Sequence, residues 1–155
     1  MKIYAPYNQF KSKNHAPFRG WKESGIAMRI GKIASDARGS RNEDIACGFL
    51  TAEVRDILKV QGIEYVVEYL ENAPGKDFKI IFEKPESLNG KYFYLEVKGS
   101  FDGIQKHRSR GYQTPAIIVN SIRNKKEIIR VMAHLILRRK RNFEEQIRQS
   151  QRAST

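Results

Sequence analysis

Glu96 and Lys98 are spaced so that one face of a β-strand carries both. They lie in Lys91–Lys98 (KYFYLEVK), where alternation turns Phe93, Leu95 and Val97 to one side and Tyr92, Tyr94, Glu96 and Lys98 to the other. Neighbours on such a face stand about 7 Å apart, so a carboxylate and an ammonium can serve one reacting group. The run Asp77–Phe82 (DFKIIF) reads as the preceding strand, and EKPESLNG between them supplies turn chemistry at Pro85 and Asn89-Gly90. A hairpin that closes symmetrically about this turn sets Asp77 opposite Glu96. Two carboxylates in cross-strand contact repel, and a divalent cation between them turns that penalty into a binding site.

A third carboxylate comes from a helix. Ala46, Phe49, Leu50, Val54, Ile57 and Leu58 recur at helical spacing and predict a helix over Asn42–Val60, with Ser40 or Asn42 capping its start and Gly62 ending it. At about 100° per residue, Glu43 falls about 40° from the centre of that apolar stripe and faces whatever the helix packs on. Glu53 lies at a similar angle on the other side. Oxygen ligands of this kind select Mg²⁺ or Mn²⁺, which polarise a phosphate and lower the pKa of a bound water. Lys98 would orient the attacking water or stabilise charge developing on phosphorus. The chemistry expected is phosphodiester hydrolysis.

The elements needed to position these groups are legible in the pattern. Ile63–Leu70 alternates, with Ile63, Tyr65, Val67 and Tyr69 on one face, and reads as a strand. Gly99–Gly111 is rich in Gly and Arg and has room for one or two helical turns. Ala116–Val119 (AIIV) is a short buried strand. A helix from Lys125 to about Gln149 closes the chain, with Asn124 and Glu127 as its capping pair and Ile128, Met132, Leu135 and Ile136 as its stripe. The fold class is α/β, a mixed four-stranded sheet flanked by helices.

An acid near the start of one strand, an E-x-K on the next and a helix Glu before both resemble the pattern of the PD-(D/E)xK nuclease superfamily. Asp77 matches the first acid, Glu96-Val97-Lys98 the E-x-K and Glu43 the helix residue. The resemblance covers roughly residues 41–120 and implies a restriction-endonuclease-like core, with Asp77, Glu96 and Glu43 holding a metal. Asp77 follows Lys76 where that pattern has proline, and Pro74 stands three positions before it. LNGKYFYLEVKGS, followed by a basic segment and AIIVN, also resembles the nuclease toxins of contact-dependent growth inhibition systems, some of which cut tRNA.

The charge distribution points to the same class of partner. The chain has 155 residues and a net charge of +12. Residues 1–42 hold nine bases and two acids, residues 43–98 seven bases and eleven acids, and residues 99–155 thirteen bases and four acids. An acidic centre between two basic flanks suits RNA or DNA, because each neutralised phosphate releases condensed counterions. Lys106, Arg108 and Arg110 beside the E-x-K strand, and Arg138-Arg139-Lys140-Arg141 on the last helix, are the candidate backbone contacts. For the second set the bland reading is a solvated helix end, where cations complement the dipole. Tyr92 and Tyr94 could stack on bases or pack in the core. Such a surface also leaves room for a homodimer or an acidic inhibitor as partner.

Other features narrow the classes. The single Cys47 excludes an internal disulfide and a cysteine-rich zinc site. The longest apolar run is about four residues, too short to span a membrane, and MKIYAPYNQFKSKNH lacks the apolar stretch of a secretory signal; the expected setting is cytoplasmic. Residues 1–40 read as a basic irregular arm, with a short helix allowed over Ile26–Ala34, and residues 41–155 as the nuclease-like domain. Phe10, Phe18 and Trp21 in the arm suit a partner or the domain's own surface equally. His15 is in the arm, His134 reads as structural, and His107 reads as part of a basic surface loop, with Gln105 and Lys106 closest to the Lys98 end of the strand. Two rival readings stand beside the metal-dependent nuclease: a non-catalytic basic nucleic-acid-binding module, and a metal-free ribonuclease built on His107.

Overall fold

The computed structural model describes residues 2–3, 30–70 and 73–154, with side chains from residue 41 onward. The elements in order are strand β1 (Lys2–Ile3), helices α1 (Ile30–Thr51) and α2 (Glu53–Val60), strands β2 (Glu64–Tyr69), β3 (Phe78–Lys84) and β4 (Tyr92–Lys98), helix α3 (Phe101–Ser109), strand β5 (Ala116–Ile118) and helix α4 (Lys125–Ala153). A 3-10 turn over Glu86–Leu88 joins β3 to β4 and buries Leu88 beneath the hairpin. The sheet runs β1-β2-β3-β4-β5. It contains the four expected strands plus a two-residue edge, antiparallel throughout except for the parallel β4–β5 pair.

Each strand turns its alternate apolar residues to one side. Tyr65, Val67 and Tyr69 of β2, Phe78, Ile80 and Phe82 of β3, and Phe93, Leu95 and Val97 of β4 form one buried surface. Ala46, Cys47 and Leu50 of α1, Val54 and Leu58 of α2, and Ile128, Met132, Ala133 and Ile136 of α4 close over it. Helix α3 packs on the opposite side of β4, where Glu96 and Lys98 project. The result is helices, sheet and one further helix in three layers, as the β4–α3–β5 crossover between parallel strands requires.

The helical reading needs three corrections. Residues 30–40, assigned to the irregular arm, are helical, and α1 runs unbroken from Ile30 to Thr51. Ser40 and Asn42 therefore lie inside the helix and not at its start; Asn42 instead reaches Gly99, where any side chain would collide with its amide. The helix also stops short of Val60. Thr51 Oγ1 donates to the Cys47 carbonyl at 2.7 Å, a back-bond that bends helices. Ala52 follows with φ −130° and ψ −88°, and α2 starts anew at Glu53.

The C-terminal helix begins where its cap predicts. The Asn124 side chain accepts from the amides of Lys126 at 2.9 Å and Glu127 at 3.3 Å. Glu127 does not complete the reciprocal pair; its Oε1 accepts from Arg123 at 3.1 Å. Phe10, His15, Phe18 and Trp21, and the start of the Ile26–Ala34 helix, lie outside the described residues. No helix among the described residues is long and apolar enough to cross a membrane.

Candidate active site

The hairpin closes in the expected register. Phe78 pairs with Leu95, Lys79 with Tyr94, Ile80 with Phe93 and Ile81 with Tyr92, so one further step puts Asp77 across from Glu96. The Asp77 amide donates to the Leu95 carbonyl at 2.9 Å, and Asp77 Oδ2 accepts from the Val97 amide at 2.8 Å. Beyond the last ladder pair, the Asp77 side chain thus occupies the place a backbone carbonyl would take and is anchored to β4 beside Glu96.

The two carboxyl groups stand side by side across the hairpin, and this bears on Asp77. Asp77 is pushed well above its ordinary value by burial first, then by the negative charge of Glu43 and by its contact with Glu96, while the Val97 amide pulls the other way. Like charges this close do not ionise together without help. Glu43 contributes from α1, on the helix face turned to the sheet, where its Oε1 accepts from the Tyr69 hydroxyl at 2.7 Å. Glu96 is 5% exposed, and its Oε2 lies 3.5 Å from Lys98 Nζ and 3.4 Å from His107 Nδ1. Lys98 keeps 29% of its side chain open to solvent.

Among the described residues, no three His, Cys, Asp or Glu side chains stand close enough together to hold a metal ion between them. The donor set still fits the cation implied by the resemblance. Mg²⁺ keeps several waters and is commonly bound by only one or two carboxylates. The Asp77–Glu96 pair offers two neighbouring carboxyl groups whose crowding a cation would relieve, since burial and nearby negative charge push Asp77 well above its ordinary value. Glu43, held by Tyr69, borders the pair instead of joining a three-carboxylate cluster.

Two expectations about the surroundings change. His107 is not on a surface loop: it sits on α3, is 2% exposed, and its Nε2 bonds the Thr114 carbonyl at 2.9 Å. Burial leaves it out of reach of a polymer, which removes the basis for a metal-free ribonuclease built on it. The basic run on α4 divides. Arg138 and Arg141 are exposed, but Lys140 pairs with Glu144 at 3.0 Å. The Arg139 guanidinium lies 5.2 Å over the Phe93 ring and 5.7 Å from the Phe143 ring. Phe93 is on the core side near the start of β4, five residues and roughly 17 Å along the strand from Lys98. Arg139 therefore packs against the core, away from the acidic pair.

By contrast Lys106, Arg108 and Arg110 are all exposed on or just after α3, the helix that covers Glu96 and Lys98. Gln105 is exposed there too. Tyr92 is 46% exposed and meets Tyr94 edge-on at 5.6 Å, with Lys79 Nζ and Lys76 Nζ each 4.1 Å above one of the rings. His134, expected to be structural, is exposed, and Glu53 pairs with Lys125 at 2.9 Å to tie α2 to α4.

Sequence reasoning missed Tyr69 as the group holding Glu43, although the alternation of β2 already placed it on the helix-facing side. It also missed Asp44, wholly buried next to Glu43. Burial, and then the Asp44 charge, push the Cys47 thiol far up and leave it unreactive. No protein-family model, curated protein or solved structure matches the chain.

Proposed function

We propose that this chain is a metal-dependent endonuclease with a restriction-endonuclease-like core, hydrolysing phosphodiester bonds in RNA or DNA with Mg²⁺ or Mn²⁺. The observation that carries the reading is the pairing of Asp77 with Glu96 across β3 and β4, with Lys98 on the same face as Glu96. A largely buried acidic pair in which Asp77 is pushed well above its ordinary value, beside a partly exposed lysine, is unfavourable as mere architecture and useful as a cation site. The bound ion would supply a polarised phosphate and an activated water.

The chain's own residues do the rest. Asp77 and Glu96 hold the ion, and the Val97 amide fixes which Asp77 oxygen stays engaged with the backbone. Glu43, steadied by Tyr69, adds negative charge at the border of the site and orients water there. Lys98 answers the charge that builds on phosphorus. Lys106, Arg108 and Arg110 draw the phosphate backbone toward the α3 side, and Arg138 and Arg141 extend the positive field. The likeness to nuclease toxins makes tRNA the first substrate to offer. A cytoplasmic setting is in keeping with a single thiol buried in the core.

One observation favours the rival reading of a non-catalytic binding module: Lys98 Nζ stands 3.5 Å from Glu96 Oε2, a neutralisation that needs no metal. A single experiment separates the two. Purified protein is incubated with tRNA, mRNA and plasmid DNA, with Mg²⁺ or with EDTA, beside the Glu96→Gln variant. Cleavage that requires Mg²⁺ and Glu96 supports the nuclease; binding without cleavage under every condition supports the module.

A further inference from the structure

Tyr92 and Tyr94 stand in line with Glu96 and Lys98 on the outer face of β4, so one strand carries both the proposed chemistry and two aromatic rings. Successive members of this row are about 7 Å apart. Tyr94 neighbours Glu96, and Tyr92 lies one step farther out. Tyr92 is 46% exposed and Tyr94 is half-buried. Their rings meet edge to face at 5.6 Å and 70°.

Each ring has its own ammonium. Lys79 is the cross-strand partner of Tyr94, yet its Nζ sits 4.1 Å from the centre of the Tyr92 ring. Lys76, which precedes Asp77, places its Nζ 4.1 Å from the centre of the Tyr94 ring. Both lysines thus lean along the sheet, away from the acidic pair. Tyr112 borders the row at its acidic end. Its ring rests on Gly75, beside Lys76, and lies over the His107 imidazole at 5.3 Å and 31°. Those contacts occupy Tyr112, so the rings open to a ligand are those of Tyr92 and Tyr94.

A tyrosine at an exposed strand position follows from β-propensity alone. Two in line with an acidic pair, each under a cation, have the composition of a surface that takes up nucleotides: a flat ring for the base and an ammonium for its phosphate. The magnitudes favour exchange. A cation over an exposed ring is worth about 2- to 5-fold in binding, whereas a base stacked on an aromatic ring is worth about 5- to 150-fold. A base therefore displaces the ammonium, which turns to the phosphate. Paired bases in a duplex present only their edges, in the grooves, so rings of this kind serve an unpaired strand.

We propose that Tyr92 and Tyr94 each stack one base of a single-stranded nucleic acid and lead that strand to Glu96 and Lys98, which makes unpaired polynucleotide the substrate class. The inference rests on the nuclease reading above. Lys76 and Lys79 take the phosphates beside the stacked bases.

Binding is read by fluorescence anisotropy in EDTA, with one labelled oligonucleotide offered as a single strand and as its duplex, in RNA and in DNA. Tyr92→Phe keeps a ring, and Tyr92→Leu keeps only apolar bulk. The single strand should bind more tightly than the duplex, with a loss of about 5- to 150-fold in Tyr92→Leu and little change in Tyr92→Phe. Duplex affinity should be the same in all three proteins. No loss in Tyr92→Leu, or an equal loss on both forms, would overturn the stacking role. Should Tyr92→Leu not fold, photocrosslinking of the wild-type chain to an iodouracil-containing strand decides. Adducts mapped by mass spectrometry to Tyr92 or Tyr94 support the role, and their absence refutes it. Cleavage is then followed with Mg²⁺. Faster cutting of the duplex than of the single strand would overturn the substrate class. Cutting of neither form would overturn the nuclease reading, and the anisotropy in EDTA would still decide the stacking surface.

Discussion

The Val97 amide donates to Asp77 Oδ2 at 2.8 Å, so the strand that carries Glu96 and Lys98 also holds the acid facing them. The geometry of the acidic pair is therefore written into the backbone of β4. Shifting the β3–β4 register by one residue would send Glu96 and Lys98 to the core side and Val97 out of it.

Removing the charge of Glu96 or Lys98 should separate binding from chemistry. Glu96→Gln should abolish Mg²⁺-dependent cleavage, and Lys98→Ala should lower its rate by roughly 10²- to 10³-fold, the usual loss when one charge-stabilising group is deleted. Nucleic-acid affinity, read by fluorescence anisotropy, should change little in either. Glu43→Gln should lose less than Glu96→Gln. Full activity in Glu96→Gln would exclude it as a ligand.

Asp77→Asn should make the metal-free protein more stable at neutral pH. The folded-state pKa of Asp77 is raised, so the folded chain binds more protons there than the unfolded chain. Stability falls as pH rises from the ordinary aspartate range through that raised value, then levels off. The variant lacks this loss. Relieving a like-charge contact is worth up to about 1 kcal/mol, or roughly 2–4 °C in Tm for a chain of this size. Melting curves in EDTA at pH 7.5 should show the gain, and it should shrink at pH 3.5.

Saturating Mg²⁺ should reverse that order. A ligand at about 100 times its Kd stabilises the folded state by about 2.7 kcal/mol, so wild-type Tm should rise with Mg²⁺ and Asp77→Asn should respond little. A Tm indifferent to Mg²⁺ and Mn²⁺ in the wild type would count against a cation between Asp77 and Glu96.

Much of this was legible beforehand, and the failures have physical causes. The hairpin register followed from turn chemistry plus strict alternation in two adjacent runs, both local properties. Glu43 could be aimed at the sheet from helical periodicity alone. The break at Ala52 could not, because it depends on one hydroxyl bonding back to Cys47. Nor could the burial of His107: Gln105-Lys106-His107-Arg108 is polar throughout, and only packing against Glu96 distinguishes the buried position from its exposed neighbours. The four bases from Arg138 to Arg141 look alike in sequence, and contact with Phe93 and Phe143 sets Arg139 apart.

That division gives a test of the basic surface. Arg138→Ala with Arg141→Ala should weaken binding to all sequences alike and leave Tm unchanged, while Arg139→Ala should lower Tm through lost packing. Replacing Lys106, Arg108 or Arg110 should each reduce the slope of log affinity against log salt by about 1. In the intact protein, raising salt from about 50 to about 200 mM should weaken binding by about 10³-fold or more if six or more phosphates are met. Salt-independent binding would remove nucleic acid as the partner of this surface.

The contact between Gly75 and Tyr112 constrains the order in which this sequence can change. A Cβ at position 75 would enter the Tyr112 ring, and φ there is +73°, a conformation that asparagine tolerates and branched residues do not. Neither Ala nor Asn can enter while the tyrosine stands. Replacing Tyr112 first opens the space but uncovers His107, so the intermediate is handicapped before any second change can repair it. The two positions form an epistatic pair with one passable direction. A saturation library at residue 75 should return glycine alone in the wild-type background and admit asparagine only where Tyr112 has already become small.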